Sequence, residues 1–196
     1  MKIEPVSLEG SHVRLEPLAQ SHHAGLCEVG LDPQIWKLVV HNIATPQQMR
    51  EYIEQRQAAL RNGTELAFAT IDKRSGRVVG STRFMNVDGP NRRVEIGGTF
   101  VARPWQRTVV NTEAKYLMLR HAFETWGCNR VELKTDLLNQ QSRVAIQRIG
   151  AKEEGILRSH MVTWTGRIRD TVYYSIIAPE WPETRSMLER MLSDRG

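Results

Sequence analysis

The sequence has few cysteines and no long apolar run. It contains 2 cysteines in 196 residues, and neither Cys27 nor Cys128 belongs to a CxxC pair or to a Cys/His ligand spacing. A disulfide framework and a metal site are therefore not expected. No apolar run approaches the roughly 20 residues that span a bilayer, and residues 1–10 lack the apolar core of a secretion signal. We expect a cytoplasmic protein without a membrane partner.

The chain also lacks a concentrated charge of one sign. Its 27 Lys and Arg residues against 22 Asp and Glu residues give a formal charge of +5, and the basic residues are spread along the chain. A nucleic-acid partner is therefore only weakly indicated, because a polyanionic small ligand such as a nucleotide accounts equally well for the excess. The composition, 40% hydrophobic and 25% charged, is typical of a globular protein.

Repeats, low-complexity segments and linkers are absent too, so we expect one domain over residues 1–196. The hydrophobic periodicity predicts strands at 7–18, 66–71, 77–84, 94–101, 131–135, 155–163 and 168–177. It predicts helices that begin near residues 21, 45, 112, 139 and 182, the third of them covering 112–126. Thr45 and Asn139 are the expected N-caps of the second and fourth helices. This order indicates an α/β (α+β) fold.

Strand 94–101, helix 112–126 and strand 131–135 form a βαβ unit, whose two strands should be parallel. The other strands follow one another as antiparallel neighbours. A parallel pair inside an otherwise antiparallel sheet can splay apart, and we predict that it leaves a slot. A linear ligand in that slot would bond to the free strand backbone.

A polar loop joins strand 94–101 to helix 112–126 and is a candidate anion site. Residues 103–114 read RPWQRTVVNTEA. At a junction of strand, loop and helix, successive backbone N–H groups can point at one anion. The alternative interpretation is an ordinary turn between a strand and a helix.

The order of elements, the loop WQRTVVNTEA, and Asn139-x-x-Ser142 followed by Ile-Gly-Ala at 149–151 resemble the GNAT superfamily of N-acetyltransferases. The sequence is most similar to the branch that acetylates the N-terminal serine or alanine of ribosomal proteins. The resemblance covers nearly the whole chain. It implies a mixed, mostly antiparallel twisted sheet with a splayed parallel pair and flanking helices. It also implies acetyl-CoA as co-substrate, an amine acceptor such as a protein N-terminus, and compatibility with a homodimer.

The family's signature loop, Arg/Gln-x-x-Gly-x-Gly/Ala, is matched at Gln106 but not at its two small positions. Val109 stands where glycine is usual, and Asn111 stands where glycine or alanine is usual. Glycine permits close approach of the backbone to a pyrophosphate. A weaker or shifted CoA site, or a non-catalytic acyl-CoA-binding module, is therefore an alternative. The resemblance implies that CoA is bound by Phe100, Val101, Gln106, Arg107, Thr108, Val109, Val110, Asn111, Thr112 and Asn139.

Acetyl transfer from a thioester to an amine needs a base for the amine and a donor for the oxyanion. Glu95 is the candidate base, and a backbone N–H of the same strand is the candidate oxyanion donor. Strict alternation places Glu95 on the same side of its strand as Thr99 and Val101. The alternative is a solvent-facing glutamate paired with Arg92 or Arg93.

The departing thiolate also needs a proton. Many relatives carry a tyrosine seven residues after the asparagine of the motif, but this chain has Ile146 there. Ser142, one turn earlier, is the available hydroxyl, and water is the alternative acid. No cysteine occupies a motif position, so we expect direct transfer in a ternary complex. Trp36 and Trp164 are candidates to line the acceptor cleft, and a basic RNA- or ribosome-binding domain remains a second alternative function.

Overall fold

One mixed sheet of eight strands organises residues 1–194, the part of the chain that the computed structural model describes. The strands are β1 (Leu8–Glu9), β2 (Val13–Pro17), β3 (Leu66–Asp72), β4 (Val78–Asp88), β5 (Arg93–Val101), β6 (Arg130–Asp136), β7 (Lys152–Val162) and β8 (Ile168–Ile177). The α-helices are α1 (His23–Gly30), α2 (Pro46–Arg61), α3 (Val109–Arg120), α4 (Gln140–Arg148) and α5 (Trp181–Ser193). Within this range no helix is both long and apolar enough to cross a membrane.

The strands lie in the order β1-β2-β3-β4-β5-β6-β8-β7, and every neighbouring pair except β5–β6 is antiparallel. Helix α3 connects β5 to β6, so the predicted βαβ unit is confirmed. The parallel pairing runs from Arg93↔Arg130 to Glu95↔Glu132 and then stops. Because β5 continues to Val101 and β6 to Asp136, the remainder of the two strands splays apart, as predicted.

Helices cover the two faces of the sheet unequally. On one face α3 and α5 enclose the larger core, which includes Phe84, Leu117 and Tyr174. On the other face α1 and α2 pack over β3 and β4, where Met49 and Ile53 are buried. The splayed strands lie beside this second layer, so their edges can be reached by a ligand.

The predicted strand at 7–18 is wrong in one respect, because it is a hairpin of two short strands, β1 and β2. The buried carboxylate of Glu113 on α3 explains the break. It accepts hydrogen bonds from the backbone N–H groups of Ser11 at 2.8 Å, His12 at 2.7 Å and Val13 at 2.6 Å. Gly10 is needed beside it, since a Cβ there would lie 2.4 Å from the Glu113 carboxyl carbon.

Helix α3 begins at Val109, three residues before the predicted start at Thr112. Thr108 is its N-cap, and the threonine Oγ1 accepts a hydrogen bond from Val110 N–H at 3.3 Å. A threonine in this position satisfies one of the free N–H groups of the first turn, which is why the helix can start here. The α-helix ends at Arg120 and continues as a π-helical turn over His121–Thr125.

Strict alternation along β5 is also wrong beyond residue 97, because the strand contains a bulge. Ser81 pairs with Phe100 and Arg83 pairs with Gly97, so two steps on β4 correspond to three on β5. The extra residue is absorbed at Gly98, whose φ of 54° favours glycine. One consequence is that Phe100, not its neighbour, joins the core under α1 and α2.

The other consequence is that Thr99 turns towards α3, where it meets a buried lysine. The Nζ of Lys115 donates to Thr82 Oγ1 at 2.9 Å and to Thr99 Oγ1 at 2.7 Å. The two threonine oxygens lie 2.8 Å apart. Burial lowers the pKa of Lys115 from its ordinary value of 10.5 to about 7, so near neutral pH this amine changes charge inside the protein.

Replacement of Glu113 by glutamine should destabilise the fold through the β1–β2 hairpin. Glutamine keeps the shape of the side chain but presents an amide NH₂ to backbone donors that need an acceptor. We expect the free energy of unfolding to fall by about 3 kcal/mol, measured by urea denaturation. Glu54→Gln, at an exposed position of α2, should change it by less than about 0.5 kcal/mol. Equal effects of the two changes would contradict this role.

Replacement of Lys115 by methionine should stabilise the protein, and more so at low pH. The folded-state pKa of about 7 lies below 10.5, so between these values the unfolded chain binds more protons and wild-type stability rises with pH. The difference corresponds to roughly 5 kcal/mol at most. Below pH 7 the free energy of unfolding of Lys115→Met should exceed that of wild type by up to that amount. The difference should disappear as the pH rises towards 10.

The measurement is urea denaturation of both proteins across this pH range. Lys37→Met, at an exposed position after α1, serves as the matched control and should show no such trend. A difference between wild type and Lys115→Met that stays constant with pH would show that the amine is not buried as described.

Candidate functional site

The candidate residues lie around the slot between β5 and β6. Beyond the last pair, Glu95↔Glu132, residues 96–101 of β5 have no partner on β6. On the side away from β4, their backbone N–H and C=O groups form a free edge, apart from the Val101 carbonyl, which accepts from Gln106. An extended ligand can add to such an edge by hydrogen bonding as an added strand does. Phe100 is buried and Val101 is half-buried on this edge, so the backbone, not the side chains, is what the slot offers there.

Gln106 closes the outer end of the slot. Its Nε2 donates to the carbonyl oxygen of Val101 at 2.9 Å, and its Oε1 accepts from Gln141 Nε2 at 3.0 Å. The side chain thereby joins the end of β5 to the start of α4. The structure brings the loop and the Asn139–Ser142 region together in this way, although the sequence places them more than 30 residues apart.

The loop after β5 leads directly into the N-terminus of α3. Arg107 is exposed and has a φ of 63°, so it is the residue of this loop in the left-handed region. Val109 is the first helical residue and has an ordinary φ. The valine therefore does not require the conformational freedom of glycine, and the N–H groups of the first turn remain directed along the helix axis. The positive end of the α3 dipole therefore lies at this loop, shortly after the end of β5.

Two further residues of the first turn have different surroundings. Asn111 is half-buried, and its Oδ1 is buried without a hydrogen-bond partner among residues 1–194. Thr112 is buried, and its Oγ1 accepts from Arg148 Nη2 at 2.8 Å. The side chain of Thr112 thus holds α4 against α3, and only its backbone remains for a ligand.

At the head of α4, Asn139 is the N-cap, as predicted, and its Oδ1 accepts from Ser142 N–H at 3.1 Å. Ser142 itself is half-buried. Ile146, one turn later, is buried in the larger core. The position at which relatives carry a tyrosine therefore belongs to packing in this chain.

Glu95 lies at the point where the slot opens and is only 2% exposed. Its Oε2 accepts from Asn86 Nδ2 at 2.7 Å and lies 3.0 Å from Lys134 Nζ. The alternative of a solvent-facing glutamate paired with Arg92 or Arg93 is wrong. Instead, Arg93 pairs with the carboxylates of β4 and β6 at 3.0 Å and 3.3 Å.

An open pocket of about 570 Å³ lies in front of Glu95. Hydrogen bonds from Asn91 and Arg93 lower the pKa of Asp88 in its wall, so this carboxyl group stays ionised. Within residues 1–194, no group of three or more His, Cys, Asp and Glu side chains is placed to hold a metal ion. The pocket wall is formed by Asn86, Val87, Asp88, Gly89, Pro90, Arg93, Glu95, Glu132 and Tyr173.

Two tryptophans join the elements on the α1–α2 side of the slot. Trp164, in the β7–β8 turn, donates from Nε1 to the carbonyl oxygen of Trp36 at 2.8 Å. Beneath them the guanidinium of Arg83 lies against the bulge, since a Cβ at Gly98 would be 2.7 Å from its Cζ. Glu65 lies 3.4 Å from Arg83 Nε. The guanidinium on this side of the slot is therefore paired with a carboxylate.

The prediction of the site missed Lys115, Thr99 and Arg83. Two signals were present in the sequence. Lys115 falls three residues before Met118 on a helix face that is otherwise apolar. The Gly97-Gly98 pair inside a strand pattern also indicates a bulge, and only a bulge brings Thr99 to the lysine.

Known proteins resemble this chain in sequence and in fold. A family profile described as an acetyltransferase (GNAT) domain matches residues 12–152. A Bacillus subtilis protein, YdaF, named for a proposed role as a ribosomal N-acetyltransferase, is 32% identical over 149 residues, which is 74% of this chain and 78% of that protein.

Among solved structures, a GCN5-related N-acetyltransferase from Brucella melitensis is 34% identical, with a TM-score of 0.90, and the alignment covers 98% of this chain and 87% of that one. RimJ from Mycobacterium smegmatis, solved with CoA-disulfide, shares the fold with a TM-score of 0.80 at 23% identity, over 100% of this chain and 95% of that one.

The family profile covers more than half of the chain, and the mixed sheet with one splayed parallel pair is the architecture of these neighbours. The resemblance and the fold class predicted from the sequence are confirmed. The chain belongs to the GNAT family and is an acetyl-CoA-dependent acetyltransferase.

Proposed function

We propose that the protein transfers the acetyl group of acetyl-CoA to a primary amine, the N-terminal α-amine of a protein or peptide, by direct attack in a ternary complex. The observation that carries the proposal is the slot that opens directly after Glu95 and leads to the N-terminus of α3. A carboxylate, a free strand edge and the N-terminus of a helix follow one another there, which supports a site for a linear anionic donor. The similarity to YdaF, named for a ribosomal substrate, supports a protein N-terminus as acceptor.

The donor site follows from the two ends of the slot. The N–H groups of residues 107–112 and the positive end of α3 would hold the pyrophosphate. The exposed guanidinium of Arg107 would add a charge-assisted contact. The free edge of β5 near Phe100 and Val101 would pair with the pantetheine arm, and Asn139 would bond to that arm or to a bound water. The helical conformation of Val109, which needs no glycine, supports CoA binding at this loop despite its departure from the signature.

Glu95 is the proposed base. Asn86 and Lys134 hold its carboxylate in a fixed position at the slot, from which it would take the amine proton directly or through water. An α-amine with a pKa of about 8 is roughly one-tenth neutral at pH 7, whereas a lysine with a pKa of about 10.4 is almost wholly charged. An N-terminal amine therefore needs little assistance. A hydroxyl at the slot, for which the sequence offers Ser142, or water would then protonate the thiolate, and a backbone N–H of β5 would donate to the oxyanion.

Compartment and assembly complete the proposal. Both cysteines are free thiols, and a CoA-dependent enzyme with reduced cysteines fits the cytoplasm. The edge strand β7 exposes Ile156 and Leu157, which suits a homodimer through this edge.

The first prediction from this proposal is release of free CoA thiol in the presence of an acceptor. The purified protein would be incubated with acetyl-CoA and a panel of Ser- or Ala-terminated peptides, polyamines and small amines. We expect thiol release above the no-amine rate with the peptides. Stabilisation by acetyl-CoA without release on any amine would favour the non-catalytic module, and salt-dependent RNA binding without stabilisation by CoA would favour the nucleic-acid alternative.

The second prediction concerns Glu95. Glu95→Gln should lower kcat by about 10²-fold at pH 6.5. The effect should shrink as the pH rises past the pKa of the amine, about 8, because the amine then loses its proton to water. The affinity for CoA should remain unchanged. Steady-state kinetics across pH 6–9 and calorimetric CoA titration measure both quantities. Glu153→Gln, an exposed change on β7, is the control, and wild-type turnover in Glu95→Gln would remove this residue from the mechanism.

A further inference from the structure

Lys115 is a buried amine whose hydrogen bonds lead to the slot. Its Nζ contacts Thr82 Oγ1 at 2.9 Å and Thr99 Oγ1 at 2.7 Å. Thr82 is buried, whereas Thr99 is exposed beside the bulge. Thr99 is therefore the hydroxyl through which the lysine can exchange a proton with whatever occupies the slot.

The donors and acceptors of this cluster leave one proton for a ligand. A lysine ammonium carries three donors and no acceptor, and two of them are directed at the threonine oxygens. With the oxygens 2.8 Å apart, the hydroxyl of Thr82 can donate to Thr99 Oγ1 in place of its long contact with Met118 Sδ at 3.6 Å. The Thr99 hydroxyl then donates to the Gly97 carbonyl oxygen over 3.5 Å, a bond long enough for a ligand on the exposed side of Thr99 to replace.

Burial lowers the pKa of Lys115, and the charged groups around it within residues 1–194 are directed elsewhere. On α3 itself, Glu113 is held by the β1–β2 backbone. Arg83 of β4 and Glu95 of β5 project to the opposite face of the sheet from Thr82 and Thr99. On α5, Glu189 accepts from Tyr116 and Arg185.

We propose that the Thr99 hydroxyl is the acid that protonates the departing thiolate, and that Lys115 is the positioning residue that resupplies its proton. This inference rests on the proposed acetyl transfer. The amine nitrogen bonds to the carbonyl carbon, the C–S bond breaks, and its electron pair leaves on sulfur. Sulfur takes the Thr99 hydroxyl proton, Thr99 takes one from the Lys115 ammonium, and the amine proton goes to the base. Lys115 then regains a proton from water through Thr99.

The acidity of the buried lysine suits this transfer. An alkyl thiol such as that of cysteine has a pKa of about 8.5, so an ammonium with a pKa of about 7 gives up its proton to the thiolate downhill. An ordinary lysine near 10.4 would not. Ser142 has no comparable proton source within residues 1–194, where it bonds from its N–H to Asn139 Oδ1.

Four variants test the proposal against an assigned amine acceptor: Thr99→Val, Thr99→Ser, Lys115→Met and Ser142→Ala. Wild-type kcat should fall above a pH near 7 as Lys115 loses its proton, and this decline should be absent in Thr99→Val and Lys115→Met. Both variants should be about 10- to 100-fold slower than wild type at pH 6.5. This is at or below the usual rate contribution of a general acid, because a thiolate is a good leaving group. They should approach the wild-type rate by pH 9.

Thr99→Ser keeps the hydroxyl and should keep both the rate and the decline, while Ser142→Ala should leave the decline in place. A Thr99→Val protein with the wild-type profile would overturn the proposal. Loss of the decline in Ser142→Ala alone would overturn it as well. Lys115→Met should fold, since it relieves the burial of an amine, and circular dichroism confirms this for each variant.

A second measurement does not depend on turnover. The affinities for CoA and for desulfo-CoA, which lacks the sulfur, would be compared at pH 6.5 by calorimetry. Wild type and Thr99→Ser should prefer CoA by about 3-fold or more, as one hydrogen bond predicts, and Thr99→Val should not. If this preference is found but no amine is acetylated, the proposed function fails and the Thr99 contact stands. If amines are acetylated but the preference is absent in wild type, this inference alone fails.

Discussion

The three-residue parallel pairing of β5 with β6 is the constraint on which the site depends. The two strands begin side by side at Arg93 and Arg130 and separate after Glu95 and Glu132. The crossover through α3 makes the two strands parallel. Beyond these pairs, β5 stays beside its antiparallel neighbour β4 and β6 beside its antiparallel neighbour β8. The free edge, the exposed bulge and the opening in front of Glu95 all follow from that separation. A longer ladder would satisfy the backbone and leave no place for a ligand.

The bulge at Gly98 gives the two sides of the slot different chemistry. On the α3 side it presents the hydroxyl of Thr99, backed by the amine of Lys115. On the α1–α2 side it lets the guanidinium of Arg83 pack directly against the backbone. A regular strand would have turned Thr99 away from α3. One extra residue in the strand therefore brings an ionisable group, buried at a free-energy cost, into contact with a hydroxyl at the slot.

Several parts of the fold were accessible from local patterns. The period of the apolar residues predicted the order of strands and helices, the caps Thr45 and Asn139, and the splayed pair. The errors have local physical causes. Thr108 caps α3 earlier than expected, the Glu113 carboxylate divides the first strand into a hairpin, and the bulge shifts the alternation of β5. Each involves a contact between residues that periodicity cannot relate.

The sequence by itself determined the family, the element order and the position of the candidate anion-binding loop, because these depend on residues near one another in the chain. Tertiary structure decided the surroundings of Glu95, the packing role of Ile146 and the burial of Lys115. Desolvation and hydrogen bonding act through space, so the charge of an amine on α3 depends on hydroxyls from β4 and β5. The loop at 106–112 departs from its family's signature in sequence, and only the backbone conformation shows that Val109 stands where glycine is not required.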